Sequence, residues 1–182
     1  LLMELIKLVC WHFNRHKTNS FFHHFQICSA AFMAVSHGLN DAQKTMGIIT
    51  LALYLFGEIE VIHVPFWVKL LCATAMAMGT AVGGWKIVRT MGHKIFKLEP
   101  VHGVAAETSA SLVIVGASMF GAPISTTHTI TACIFGVGST KRLSAVRWGV
   151  AGQLVTAWML TIPAAAVMGG FFFWLLHALG LG

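Results

Sequence analysis

Two short polar stretches interrupt an otherwise apolar chain, and they hold the residues whose types and spacing could do chemistry. The first runs Ser36-His37-Gly38-Leu39-Asn40-Asp41-Ala42-Gln43-Lys44-Thr45-Met46-Gly47 and contains the only aspartate of the sequence. Asn40 and Asp41 together offer hard oxygen ligands of the kind a small cation such as Na⁺ takes, and a protonatable Asp41 would serve proton coupling equally well. Lys44, three residues on, is within helical reach of Asp41 and could neutralise it as a purely structural pair. The second stretch is Gly121-Ala122-Pro123-Ile124-Ser125-Thr126-Thr127-His128-Thr129. Gly permits a tight turn and Pro suits the first position of a helix. A helix starting there presents unpaired N–H groups and a positive dipole end beside the hydroxyls of Ser125, Thr126 and Thr127. Such a site takes a phosphate or sulfate without any arginine; alternatively the hydroxyls only cap the helix or bond back to its carbonyls. Glu107, a further carboxylate in an apolar run, is either a coupling group or bonded to a neighbouring helix. His37 and His128 flank the stretches as hydrogen-bond donors rather than proton relays, and Met46, Met76 and Met78 read as packing residues.

These residues need elements to position them. The first stretch lies between the apolar runs Phe25–Val35 and Ile48–Phe56, each shorter than the roughly 20 residues that a helical crossing takes. Joined through the polar dozen, they predict one crossing interrupted near its middle. Lipid cannot satisfy free backbone groups, so the interruption must be buried in protein or line a wet cavity, as in the broken helices of secondary transporters. Pro65–Trp85 is a second span, with Trp67 and Trp85 as interface anchors and Gly79, Gly83 and Gly84 suited to close helix packing. Val101–Phe120 and Ile124–Val137 form a pair hinged at Gly121-Ala122-Pro123, either a re-entrant hairpin or two full spans. Ala145–Leu176 is a long run whose Pro163 predicts a tilted or kinked helix.

The loops alternate in charge. Arg15 and Lys17, the loop Lys86–Lys97, and Lys141, Arg142 and Arg147 are basic and face the cytoplasm by the positive-inside rule, whereas the loop Gly57–Val64 with Glu58 and Glu60 faces outward. The count of net crossings is then odd, so a related copy joined in series would lie upside down, the inverted-repeat plan of many carriers. Residues 1–20 form an amphipathic, cytoplasmic lead-in, and 21–182 the transmembrane part. No cleavable signal peptide is evident, and the start on Leu-Leu-Met reads as that of a fragment or excised segment.

Composition agrees: 57% hydrophobic and 10% charged residues, with a mean hydropathy of +0.77, against about 25% charged residues in soluble domains. The net charge of +6 therefore speaks to topology and not to nucleic acid. The basic residues lie in loops, with no basic face interleaved with aromatics. Cys10, Cys28, Cys72 and Cys133 lack CxxC spacing and read as buried reduced thiols. No clustered Cys/His set or HExxH predicts a metal site beyond a transported Na⁺.

SHGLNDAQKTMGII resembles the second signature copy of the inorganic phosphate transporter (PiT) family. GAPISTTHTITA is similar to that family's hydroxyl-rich hairpin tip, and GSTKRLSAVRWGVAGQLVTAW to the segment after it. The resemblance runs from about Phe25 onward, in the family's order, and matches its carboxy-terminal half. It implies an all-α polytopic membrane protein, here one inverted-repeat half with an interrupted transmembrane helix and a helical hairpin, sited in the plasma membrane. It further implies symport of phosphate with Na⁺ or H⁺ by alternating access, at one central site completed by the amino-terminal repeat missing here. Carried over by position, Asn40 and Asp41 contribute to the cation site, with Gln43 a weaker ligand. Asn40, Ser125, Thr126 and Thr127 adjoin or hold phosphate, and Glu107 and Lys44 are candidate coupling groups. No cofactor and no covalent step is required, so no enzyme is expected; the partners are phosphate and the bilayer, and a homodimer is among the assemblies this allows. The alternatives are a sulfate or other oxyanion carrier of the same fold, a non-transporting membrane subunit, and an intramembrane hydrolase built on Ser125 and His128. The hydrolase lacks an oriented base and an oxyanion hole.

Overall fold

The computed structural model describes residues 1–12, 15–89, 92, 95 and 97–180. The protein is an all-α membrane protein, with no strand among the described residues. Its helices are α1 (Leu2–Cys10), α2 (Arg15–Leu55), α3 (Phe66–Arg89), α4 (Pro100–Met119), α5 (Thr126–Lys141) and α6 (Trp148–Ala178), with a 3-10 turn at Leu143–Ala145. Among the described residues, three segments are long and apolar enough to cross a membrane: Phe66–Trp85, Pro100–Met119 and Trp148–Ala178. The chain divides into two compact units, Leu1–Val146 and Arg147–Gly182. The second is α6 with its flanks, and the helix runs without a break through Pro163. It starts three residues later than the apolar run suggests, because Leu143–Ala145 are taken by the 3-10 turn.

The interruption expected in the first crossing is not there: α2 is one helix of 41 residues, and the polar dozen lies inside it. Polar composition does not by itself break a helical backbone. The dozen contains no proline, and its glycines, Gly38 and Gly47, each cost a helix only about 1 kcal/mol relative to Ala. Helical spacing continues through it, so Ser36, Asn40 and Lys44 stack at intervals of four on one face. The expected lead-in of residues 1–20 has no boundary at residue 20, since α2 begins at Arg15 and runs on through it. At the other basic loop, Lys86 and Arg89 belong to the end of α3, and Lys94 lies outside the described residues.

The open backbone that α2 lacks is found in the hairpin. α4 starts on a capping box: the Glu99 side chain accepts from the backbone of His102, while the Glu99 N–H donates to His102 Nδ1 at 3.2 Å, with Pro100 at the first turn. Just past its C-cap Phe120 comes Gly121, whose φ of 67° only glycine adopts freely. Gly121 N–H donates to Ser118 O at 3.1 Å and Ala122 N–H to Ala117 O at 2.9 Å, the bonding of a Schellman stop. The chain then runs unwound to Ser125, the N-cap of α5. Pro123 thus does not open α5 as its sequence position suggested. It lies in the tip, and Ser125 takes the capping role, with its hydroxyl accepting from the His128 N–H at 3.3 Å.

Packing sets α2 and α4 side by side and parallel. Ser29 meets Glu107, Met33 meets Ser111 and Asn40 meets Ser118, each pair 78 residues apart. Steps of four and seven on both helices bring one face of each together repeatedly. α4 is buried largely through small residues, among them Ala105, Ala106, Ala110 and Ser111, which suit close packing of neighbouring helices. Gly103 instead makes room for a side chain of α2, since a Cβ there would meet the amide of Gln26, with Cδ at 3.1 Å. Because Ser118 and Ile124 lie level with Asn40 and Lys44, the tip stops well short of the end of α2. The eleven residues that follow Lys44, through Leu55, are about 16 Å of helix. α5, with 16 residues, spans about 24 Å, less than a hydrocarbon core of about 30 Å.

Candidate functional site

The polar face of α2 meets the unwound tip of the hairpin. Asn40 Nδ2 donates to the Ile124 carbonyl at 3.0 Å and to Asp41 Oδ1 at 3.1 Å. Lys44 Nζ donates to the same carbonyl at 2.6 Å and to Asp41 Oδ1 at 2.9 Å. The other carboxylate oxygen accepts from Thr126 Oγ1 at 3.0 Å and has His37 Nε2 at 3.6 Å. Ser118 Oγ, from the last turn of α4, reaches Asn40 Oδ1 at 3.4 Å. Asn40 and Thr126 are almost fully buried, at 4% and 2% exposed, so an unpaired group on either would be costly, whereas Asp41 and Lys44 are only partly buried.

The local sequence accounts for each placement. Ile124 O is exposed to ligation because it precedes the cap and belongs to no helical ladder. The first intrahelical bond of α5 is Thr129 N–H to Ser125 O at 3.0 Å, so the N–H groups of Thr126 and Thr127 precede the ladder, as at any helix start. They sit at the positive dipole end of α5, close to the Asp41 carboxylate that Thr126 holds. One helix break therefore offers both an acceptor, the Ile124 carbonyl, and donors, the first N–H groups of α5. Such a break can hold a cation and an anion next to each other.

Glu107 lies a few turns away along the α2–α4 seam. It accepts from Ser29 Oγ at 2.5 Å, with Gln26 a second hydrogen-bonding neighbour. A cavity of about 640 Å³ opens beside it, lined among others by Met33 and His37 of α2, Gly79 and Thr80 of α3, Glu107, and Thr127 of α5. The small residues that suggested close packing on α3 here line open space.

Of the residues that the sequence singled out, the structure joins Asn40, Asp41, Lys44 and Thr126 in one hydrogen-bonded cluster, with His37 at its edge. Ser125 stands next to it with its hydroxyl in the cap. Thr127 faces the cavity, and no hydrogen bond to its hydroxyl is found among the described residues. Gln43 is exposed. Glu107 belongs to a separate contact. The sequence reading missed Ser118, Ser29 and the Ile124 carbonyl. Ser29 carried a signal, because Phe22, Gln26, Ser29, Met33, Ser36 and Asn40 follow one helical stripe; a backbone carbonyl carried none. Among the described residues no group of three His, Cys, Asp or Glu side chains could hold a metal ion.

The sequence model of the phosphate transporter family matches residues 7–169. Over 172 residues the chain is 48% identical to a "probable low-affinity inorganic phosphate transporter" of Rhizobium meliloti (strain 1021), covering 92% of this chain and 52% of that protein. A protein of the same description from Bacillus subtilis (strain 168) is 42% identical over 178 residues, 97% of this chain and 54% of the relative. Another, from Mycobacterium tuberculosis (strain ATCC 25618 / H37Rv), is 44% identical over 166 residues, 90% of this chain and 40% of the relative. The chain spans about half the length of the curated relatives it matches. No solved structure matches it.

Proposed function

Because the chain belongs to the phosphate transporter family, we propose that it forms the carboxy-terminal half of a carrier that moves inorganic phosphate together with a cation, Na⁺ or H⁺, by alternating access. The observation that carries this is the junction of two motifs remote in sequence: Asp41 of α2 bonded to Thr126 at the start of α5, 85 residues away. In this reading Asp41 and Asn40 hold the cation charge. The first N–H groups of α5 and the hydroxyl of Thr127, with Ser125 and Thr126 as neighbours, hold phosphate oxygens. Binding both solutes balances charge inside the membrane and frees the two halves to rock. The exposed Leu70, Leu71, Met78 and Val82 of α3 suit lipid or the other repeat. The loops holding Lys97 and Lys141–Arg147 lie on the cytoplasmic side. α1 lies with them, because Lys7 Nζ donates to Thr140 O at 2.7 Å and so satisfies the carbonyl end of α5. No step makes or breaks a covalent bond; the protein is a transporter and not an enzyme.

The test is uptake of labelled phosphate by the full-length protein in proteoliposomes under an imposed cation gradient, with sulfate as competitor. Wild type is expected to accumulate phosphate, and Asp41→Asn, which keeps size and removes charge, to lose the cation-driven part while still inserting and folding. Unchanged gradient dependence in Asp41→Asn would return Asp41 to a structural pair with Lys44. Displacement of phosphate by equal sulfate would replace the phosphate assignment with a general oxyanion one.

A further inference from the structure

The Lys44 ammonium sits on two oxygens at once: the carboxylate of Asp41, at 2.9 Å, and the carbonyl of Ile124, at 2.6 Å. These have the chemistry of a small hard cation's ligand set: a carboxylate oxygen plus a backbone carbonyl freed by a helix break. The cluster contributes two more oxygens nearby, Asn40 Oδ1, held by Ser118, and Thr126 Oγ1, held on Asp41. A cation placed on the Asp41 and Ile124 oxygens would overlap the ammonium. The partly buried Lys44 side chain reaches this position from the same helix that carries Asp41.

We propose that Lys44 is a tethered cation that occupies the position a sodium ion would take, and so determines that this site accepts no sodium. The ammonium supplies the +1 charge that Asp41 requires and orders the tip by holding its carbonyl, both tasks of a bound metal ion. It does so at no cost in translational entropy, because it is covalently part of the helix. The inference rests on the carrier reading only where it speaks of the coupling ion, for which it removes sodium. The occupancy itself stands on the two contacts.

The measurement is the thermal stability of the purified full-length protein against NaCl, with KCl at equal ionic strength as reference. The quantity read is the sodium-specific shift that disappears when Asp41 becomes Asn. Wild type is expected to show none. Lys44→Met and Lys44→Gln, which vacate the two oxygens, are expected to gain a shift of roughly 2 °C or more at tenfold excess over the dissociation constant. The doubles with Asp41→Asn should lose it again. Two variants guard against one failing to fold, and wild type alone is already decisive: an Asp41-dependent sodium shift there overturns the proposal. So does the absence of such a shift in both folded Lys44 variants. Phosphate uptake followed in sodium and in choline separates the two conclusions. Failure to take up phosphate in any medium strikes the carrier reading and leaves the shift assay untouched.

Discussion

Replacing Thr126 with Val removes one hydroxyl from a side chain that is 2% exposed and keeps its shape. The hydroxyl donates to Asp41 Oδ2 at 3.0 Å, so the loss is a hydrogen bond to a charged acceptor, worth roughly 1.5–3 kcal/mol. Asp41 keeps Lys44 on its other oxygen, so the carboxylate stays paired and the loss should not exceed that range. If the Asp41–Thr126 bond orders the start of α5 for the anion, Thr126→Val weakens phosphate binding roughly ten- to a hundredfold. The decisive assay is a double-mutant cycle on phosphate affinity, measured by titration of the purified full-length protein. The cycle combines Thr126→Val with Asp41→Asn, and separately Thr127→Val with Asp41→Asn. Thr126 touches Asp41 and Thr127 does not, so the first cycle should show a coupling of about 1 kcal/mol or more and the second should be additive within about 0.5 kcal/mol. Additivity in the first cycle would refute the reasoning, because the two motifs would then act without each other.

Two further perturbations follow from the fold. Gly103→Val should place its side chain against Gln26, displacing it from the seam at about 1–3 kcal/mol; a melting temperature equal to wild type would contradict the close approach. Single cysteines at Lys97 and Lys141, in a background without Cys10, Cys28, Cys72 and Cys133, should be labelled from the cytoplasmic side and one at Glu60 from the outside. All three positions are exposed, so the same reagent on one face labelling all of them would sink the assignment.

The spans and the hinge were legible because apolar runs and their glycine and proline punctuation are local properties. α3, α4 and α6 fall within a few residues of the runs that predict them, and the hinge at Gly121 turns as a glycine at that spacing suggests. Asp41 and the hydroxyl tip stood out because polar groups are expensive in hydrocarbon, whatever their partners. What could not be read was which backbone breaks. A polar run between two apolar ones suits either an interrupted helix or a helix with a polar face. The choice depends on whether a neighbour offers partners, here Ile124 and Thr126 from 80 and 85 residues away. The same limit hid the division of labour among the hydroxyls. Ser125, Thr126 and Thr127 are chemically alike in sequence, yet one caps a helix, one holds a carboxylate and one faces a cavity.

The shared offset of α2 and α4 also says where this chain can change length. Ser29 to Asn40 and Glu107 to Ser118 are both eleven residues, close to three full helical turns. One residue inserted between Ser29 and Asn40 would turn everything after it by about 100°. Asn40, Asp41 and Lys44 would swing off the hairpin while Ser29 still met Glu107. An insertion in the turn between α2 and α3, from Gly57 to Val64, would change the offset from 78 and move no contact in the seam. Growth and shrinkage are therefore expected in that turn. Within the eleven-residue rulers, only a matched change on both helices, by whole turns, would leave the site assembled.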